Sequence, residues 1–325
     1  MAKQKGPTTA SARPRLGLPR ALRYLVDNWQ LGLLALPGLL HIVLFRYLPM
    51  GGLVMAFQDF NPTKLFASDW VGLRNFRFLF ANPRTGLLIG NTIKLNLAFL
   101  IATTFFSVFT ALLLNEIRLK WFKSVAQSIM FLPFFVGWPI VGAMLWGLLD
   151  PELGTVNEIL KSMGLDPINF SAEGQLWPTI LTVLQVWKGT GAGCVIYLAA
   201  LAGINPELYE AAAVDGANRL QRIRYINLPS LVPLVILLTI VNIGRIFHAD
   251  TGMFYAVVGP IQRALFDAID VIDYYILRAL GTSVEYGYLS AVSLLQSIVG
   301  FVLVLGSNWL ARVYSRRQGE EYALF

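Results

Sequence analysis

Apolar residues in this chain come in long blocks rather than alternating with polar ones. A helix crossing a hydrocarbon core needs about 20 mostly apolar residues. Six blocks meet that demand: residues 31–48 (with an extension through MGGLVMAF), 92–114, 125–149, 177–201, a block from near 231 to near 247, and 288–310. The pattern predicts an all-α, polytopic membrane protein with six transmembrane helices. Between the blocks, FNPTKLFASDWVGLRNFRFLF mixes Trp and Phe with polar residues as a membrane–water interface does. DPELGTVNEILKSMGLDPINFSAEGQL predicts a structured loop with one short helix. HADTGMFYAVVGPIQRALFDAIDVIDYYILRAL is long and amphipathic, and predicts a helix on or re-entering the surface.

Composition agrees with this reading. The chain is 56% hydrophobic and only 14% charged, with a mean hydropathy of +0.59, whereas a soluble domain carries about a quarter charged residues. The net charge of +7 is spread between spans and reads as topology, not as a nucleic-acid surface. With both termini on one side, that side holds fifteen Lys and Arg against seven opposite. The positive-inside rule then makes both termini cytoplasmic. The single Cys194 cannot form an intrachain disulfide, and in its apolar run it reads as a small buried side chain. His41 and His248 have no ligand-spaced partners, so no metal site is indicated.

One cytoplasmic stretch breaks the apolar pattern. In EAAAVDGANRLQRIRYINLPSLVP, from Glu210 to Pro233, charges, amides and prolines crowd together. Asn205 followed by Pro206 is a helix start, since Asn caps free N–H groups and Pro fits the first turn. Gly216 allows a left-handed turn at that helix's end, and Asn218 caps a second helix, RLQRIRYINL, with Pro229 marking the boundary before span five. Leu220, Ile223 and Ile226 form that helix's apolar stripe toward the membrane. From the residues alone, the stretch is either a helical linker or a rigid knob shaped for a cavity on another protein.

Glu210-Ala211-Ala212, Asp215-Gly216-Ala217 and Ile226-Asn227-Leu228-Pro229 resemble the EAA loop of binding-protein-dependent ABC importer permeases, whose first helix docks into a groove on a cytoplasmic ATPase subunit. The chain departs from the pattern at Ile223, where a large aromatic is usual. RYLPMGGLVMAFQDFNP, DWVGLRNFRFLF, ALLLNEIRLKWFKSVAQSIMFLPFF, NIGRIF, DVIDYYILRAL and the terminal YALF are similar to the branch that imports oligosaccharides and polysaccharide fragments, alginate oligosaccharides among them. The resemblance implies a type I ABC importer-like fold in a bacterial cytoplasmic (inner) membrane. Residues 1–28 would be a basic tail with an interfacial helix near 18–28, residues 29–311 the permease domain with its coupling loop at 204–230, and residues 312–325 a cytoplasmic tail. It implies as partners a second homologous permease, two ATPase subunits, an extracytoplasmic substrate-binding protein, membrane lipid and the oligosaccharide. ATP and Mg would be bound by the ATPase subunits, with no cofactor in this chain.

Cations inside spans are costly, about 2.5–3.5 kcal/mol at a helix centre. Arg46 and Lys94 lie near span ends and can snorkel. Lys188 and Arg245 read as deeper. Gln185, Trp187 and Lys188 break span four, and Asn242 and Arg245 break span five, as a sugar path or as hydrogen-bonding groups between helices. GTGAG, residues 189–193, follows no strand and reads as close helix packing. No G-x-x-x-x-G-K-[ST] occurs, so the chain has no P-loop of its own. An ion-driven transporter lacks a deep carboxylate here. A polysaccharide-assembly enzyme would have to use Asp267, Asp270 and Asp273, which read as a solvated face.

Overall fold

The computed structural model describes residues 29–259, 266–282 and 285–318. The expected tail and interfacial helix of residues 1–28, and residues 319–325, lie outside the described residues. Helical stretches Trp29–Phe57, Pro83–Asn115, Gly174–Ala202, Arg219–Ile243 and Tyr286–Val313 are each long and apolar enough to cross a membrane, and a bent helix pair makes a sixth span if it counts as one.

The chain divides into two units between Leu53 and Val54. The first contains α1 (Trp29–Ile42), a π turn (Val43–Tyr47) and the start of a run of 3-10 turns, Leu48–Phe57. The second opens with a small antiparallel ribbon, β1 (Gln58–Asp59) and β2 (Asp69–Trp70), with Gln58 opposite Trp70. It is the one departure from an all-helical fold among the described residues. The buried Asn75 side chain, on α2 (Arg74–Ala81), donates to the carbonyls of Ala56 and Gln58 at 3.0 Å each and ties the ribbon down.

The bundle is centred on two long helices, α3 (Pro83–Asn115) and α7 (Trp177–Ala202), packed side by side. Lipid offers helices no hydrophobic reason to associate, so close backbone approach and hydrogen bonds matter more. GTGAG supplies the approach, as its composition leads one to expect. A Cβ on Gly191 would lie 1.9 Å from the Met130 carbonyl oxygen, and one on Gly193 would lie 2.3 Å from the Ser107 Oγ. Cys194 is 2% exposed beside them.

Span three differs from its expectation as one helix over residues 125–149. It is two helices, α4 (Lys120–Phe135) and α5 (Trp138–Leu149), bent by 95°. Pro133 removes a backbone donor in the last turn of α4, and Gly137 and Pro139 follow at the start of α5, so three weak points fall together. A short helix, α6 (Thr155–Ser162), follows in the loop where one is expected.

Span five also differs. After α8 (Pro206–Val214), helix α9 (Arg219–Arg222), a π turn (Ile223–Asn227) and α10 (Leu228–Ile243) form one continuous helical stretch. Pro229 is therefore not a boundary: it sits in the first turn of α10, and the wider π turn before it accommodates the missing donor. The helix ends at Ile243 rather than near Phe247, and residues 244–247 form a turn. Gly244 begins that turn, and a Cβ there would meet Val304 Cγ2 at 2.2 Å. Arg245 thus lies in the turn beyond the helix, not deep within a span.

Among the described residues, the connection to the last helix includes a buried plug and is not a surface helix alone. It contains α11 (Thr251–Met253), a π turn (Phe254–Val258), α12 (Phe266–Ile269) and α13 (Ile272–Thr282) before α14 (Tyr286–Gln318). Met253, Phe254, Val257 and Val258 are fully buried with Leu95, Phe99, Trp177 and Leu181. Asp267, Asp270 and Asp273 do not form a solvated face either. Asp267 is exposed, but Asp270 is completely buried and ion-paired with Arg84 at 3.1 Å and with Arg278. Burial pushes the Asp270 carboxyl above the usual carboxylate range, while Arg278 and Arg84 pull it back. Asp273 accepts from the Ala249 N–H and the Gln296 amide at 2.8 Å each. One of the two arginines, Arg84, is 186 positions away in sequence, which is why the surroundings of Asp270 read as polar.

Candidate functional site

Two places in the second unit combine exposed chemistry with rigid support. The first is the elbow between α7 and α10. Asn205 accepts from the Glu207 N–H at 3.1 Å and starts α8. At the other end, the Ala217 N–H reaches the Ala212 carbonyl at 2.8 Å and the Gly216 N–H reaches that of Ala213 at 3.2 Å. With Gly216 at φ 73°, this is a Schellman closure, which needs a residue free to adopt the left-handed region. Asn218 then starts α9 with a capping box: its side chain accepts from the Gln221 N–H at 2.9 Å, and Gln221 accepts from the Asn218 N–H at 2.7 Å. Every turn of the elbow is thus specified locally.

What fixes the two helices to each other joins Asn227 of the motif to residues outside it. The Tyr209 hydroxyl donates to Asn227 Oδ1 at 2.6 Å, linking α8 to the π turn, and Asn227 is fully buried. Arg222 pairs with Glu116 at 3.8 Å, beyond the end of α3. Burial pushes the Tyr209 phenol above its ordinary range, opposed by a hydrogen bond with Asn115, so it remains a neutral donor. Sequence reasoning missed Tyr209, Glu116 and the role of Asn227. An aromatic hydroxyl one position before Glu210 was the available signal. Tyr209→Phe leaves a buried acceptor unpaired and is expected to cost about 1–3 kcal/mol, read as a lowered thermal midpoint of the purified chain.

The elbow's motif face is open. Glu210, Ala211, Asp215 and Gly216 are exposed, Ala212 and Ala217 are half-buried, and Pro229 is exposed in α10. Val214, at 88% exposure, is an apolar side chain presented at the tip. Below it, Leu231, Leu201, Leu198 and Ala111 close a core against which Ile223 packs, whereas Leu220 at 72% exposure leaves the expected stripe.

The second place is a cavity of about 610 Å³ bordered by α3, α7, the end of α10 and the turn after it. Gln185, Asn242 and Arg245 line it together with Asn96, Thr103 and Asp250. The structure therefore gathers three of the five substrate-path candidates. Trp187 is 44% exposed and does not line this cavity. Lys188 does not line it either: its ammonium donates to the carbonyls of Phe134 at 2.9 Å, Pro133 at 3.3 Å and Val136. The Asn96 side chain holds the turn by donating to the Ile246 carbonyl at 2.8 Å. Arg245 is exposed and has no carboxylate within ion-pair distance among the described residues. Gln185 Oε1 and Thr103 Oγ1 are buried without a hydrogen-bond partner. Buried polar atoms of this kind are normally satisfied. At about 1.5 Å per residue, Gln185 lies roughly 25 Å along α7 from its elbow end.

A family model described as binding-protein-dependent transport system inner membrane component matches residues 103–319. The chain is 36% identical over 307 residues to the polygalacturonan/rhamnogalacturonan transport system permease protein YteP of Bacillus subtilis (strain 168), covering 93% of this chain and 92% of that one. It is 34% identical to Protein LplB of the same organism, covering 89% and 90%. Among solved structures, it is similar to a chain of a bacterial ABC transporter involved in the import of the acidic polysaccharide alginate, with a TM-score of 0.82 and 31% identity over 90% of this chain and 99% of that one. A second match, at TM-score 0.82 and 30% identity, comes from a bacterial alginate ABC transporter in complex with an alginate pentasaccharide-bound periplasmic protein, covering 91% and 99%.

Proposed function

This chain belongs to the family of binding-protein-dependent transport system inner membrane components, and from that premise we propose that it is the permease subunit of an ATP-driven oligosaccharide importer with a preference for acidic, alginate-like or polygalacturonate-like chains. It is a multi-pass membrane protein and a transport subunit, not an enzyme. The observation that carries the coupling half of this reading is the elbow: an exposed helix locked at both ends, projecting from two membrane-crossing helices at once. In this reading two ATPase subunits hold ATP and Mg, and one of them receives residues 210–217. A second, related permease completes the pathway, and an extracytoplasmic binding protein delivers the sugar. Both termini are cytoplasmic. Closure of the ATPases shifts the bundle between inward- and outward-open states, since nucleotide binds one state more tightly than the other.

The substrate half rests on the cavity. Amide and hydroxyl groups from Asn96, Thr103, Gln185 and Asn242 suit sugar hydroxyls, and the guanidinium of Arg245 matches a uronate carboxylate. Asp250 on the same wall disfavours a second carboxylate beside it. The test is the assembled transporter in proteoliposomes, supplied with candidate binding proteins and with uronate or neutral oligosaccharides of equal length. Uronate chains are expected to stimulate ATP hydrolysis more strongly. Arg245→Gln is expected to cut uronate uptake about tenfold, the scale of one charge-assisted hydrogen bond of roughly 1.5–3 kcal/mol, with neutral-sugar uptake spared. Equal stimulation by neutral and acidic chains, or uptake of both unaffected by the substitution, would overturn the acidic preference.

A further inference from the structure

The 95° break in span three sits opposite a single charged side chain, Lys188. A helix that ends inside a membrane leaves carbonyls with no partner in their own helix, and lipid offers none. At the break the Lys188 ammonium donates to the carbonyls of Phe134 and Val136, and it shares the Pro133 carbonyl with the Val136 N–H at 3.1 Å. It also stands 5.2 Å from the centre of the Trp138 ring, the first residue of α5, where the ring's face attracts a cation.

The surroundings divide sharply at this point. The arm before the break is pressed on α7: the Met130 carbonyl lies against Gly191, where no Cβ fits. The arm after the break is seated on the plug instead. Gly142 approaches it just as tightly, since a Cβ there would fall 2.2 Å from the Ala256 carbonyl oxygen, and the Trp146 indole donates to the Val257 carbonyl at 2.6 Å. Trp138 adds a direct link to the cavity, its Nε1 donating to Asp250 Oδ2 at 2.7 Å. Asp250 in turn caps α11 through the Met253 N–H at 3.2 Å and lines the cavity wall.

We infer that Lys188 is a positioning residue for transport: from α7 it holds the break in span three and, through Trp138 and Asp250, sets the wall of the sugar cavity. The inference rests on the importer reading for its consequence, because α7 is also the helix that leads into the elbow. Movement of α7 at one end then reaches the Asp250 side of the cavity wall through the break, beside its direct effect on Gln185.

The experiment uses the assembled transporter in nanodiscs with spin labels at Leu132→Cys and Met144→Cys, exposed positions on the two arms, and it needs neither nucleotide nor binding protein. Wild type and Lys188→Arg, which keeps the donors, are expected to give one narrow label-to-label distance, and Lys188→Met a shifted or broadened one. An unchanged distance in Lys188→Met overturns the inference and leaves the importer reading untouched. In proteoliposomes, sugar carried per ATP hydrolysed is expected to fall about tenfold in Lys188→Met, within the usual range of coupling energies, and to be restored in Lys188→Arg. Trp138→Phe provides the arm that does not depend on Lys188→Met assembling. It keeps the bend and loses the Asp250 link, so the label distance is expected to stay while sugar carried per ATP drops. Trp138→Phe with full transport, or Lys188→Arg as impaired as Lys188→Met, would overturn the inference.

Discussion

Gly216→Val is expected to abolish the stimulation of ATP hydrolysis by sugar-loaded binding protein while the permease still folds. The reason is confined to the backbone. Gly216 has φ 73°, and a Cβ added there meets nothing within 4 Å. A β-branched residue is strongly disfavoured in that region, at roughly 1–2 kcal/mol for the left-handed conformation of an L-residue. The cheapest relief is to open the turn. Opening it breaks the two backbone hydrogen bonds from Gly216 and Ala217 that close α8, and the motif face loses its shape without any loss of core. Asp215→Lys reaches the same face by a different route. The side chain is exposed and has no ion-pair partner among the described residues, so charge reversal there leaves the fold alone and acts on whatever docks. Both variants are expected to lose stimulation by more than about tenfold, comparable with the few kcal/mol that one central interface residue contributes. The check is ATPase activity of the reconstituted complex with and without sugar-loaded binding protein, beside the chain's thermal midpoint. Stimulation that survives both substitutions would remove the docking role.

The second large effect lies in the bundle. Gly191→Ala is expected to deplete folded protein, though it adds only one methyl group. That methyl would sit 1.9 Å from the Met130 oxygen, 2.5 Å from its carbon and 2.8 Å from the Phe131 Cα, all of them backbone atoms. No side-chain rotation relieves such a clash, so α4 must move off α7. The neighbouring Gly193→Ala makes the milder comparison: it meets only Ser107, whose Oγ at 2.3 Å can rotate away and whose Cβ at 2.9 Å asks for a smaller shift. Overpacking usually costs about 1–3 kcal/mol. Gly191→Ala is expected at or above the upper end and Gly193→Ala at the lower end. Fluorescence-detected size exclusion after graded heating would rank them, and equal midpoints for the two would contradict the packing assigned to α7.

The parts of this fold that were legible in the sequence are those set by neighbours within a few residues. Spans two, four and six announce themselves by length and apolarity, the elbow by Asn205-Pro206, Gly216 and Asn218, and the close packing of α7 by its small residues. What was not legible depends on partners far along the chain. Hydropathy averages over the break in span three because Val136 and Gly137 are themselves apolar or neutral. Only the 95° turn reveals why a lysine sits opposite. Asp270 reads as a surface carboxylate until Arg84, 186 positions away, closes over it. Arg245 reads as buried in a span because the apolar run continues to Phe247, whereas helix α10 stops at Ile243. The cavity shows a similar limit. Gln185 and Asn242 were visible as polar interruptions, but that they share one wall with Thr103 and Asn96 follows from the pairing of α3 with α7, which no local pattern encodes.

The most direct measurement of the central claim, that the elbow receives motion from an ATPase subunit, is site-directed cross-linking from its tip. Val214 is 88% exposed and the chain's single native cysteine, Cys194, is 2% exposed. Val214→Cys therefore places the chain's one accessible thiol at the end of α8. In membranes containing the whole complex, a short bifunctional reagent is expected to join this chain to the ATPase subunit, with a yield that changes when ATP is added. An adduct with any other protein, or an ATPase adduct indifferent to nucleotide, would contradict it.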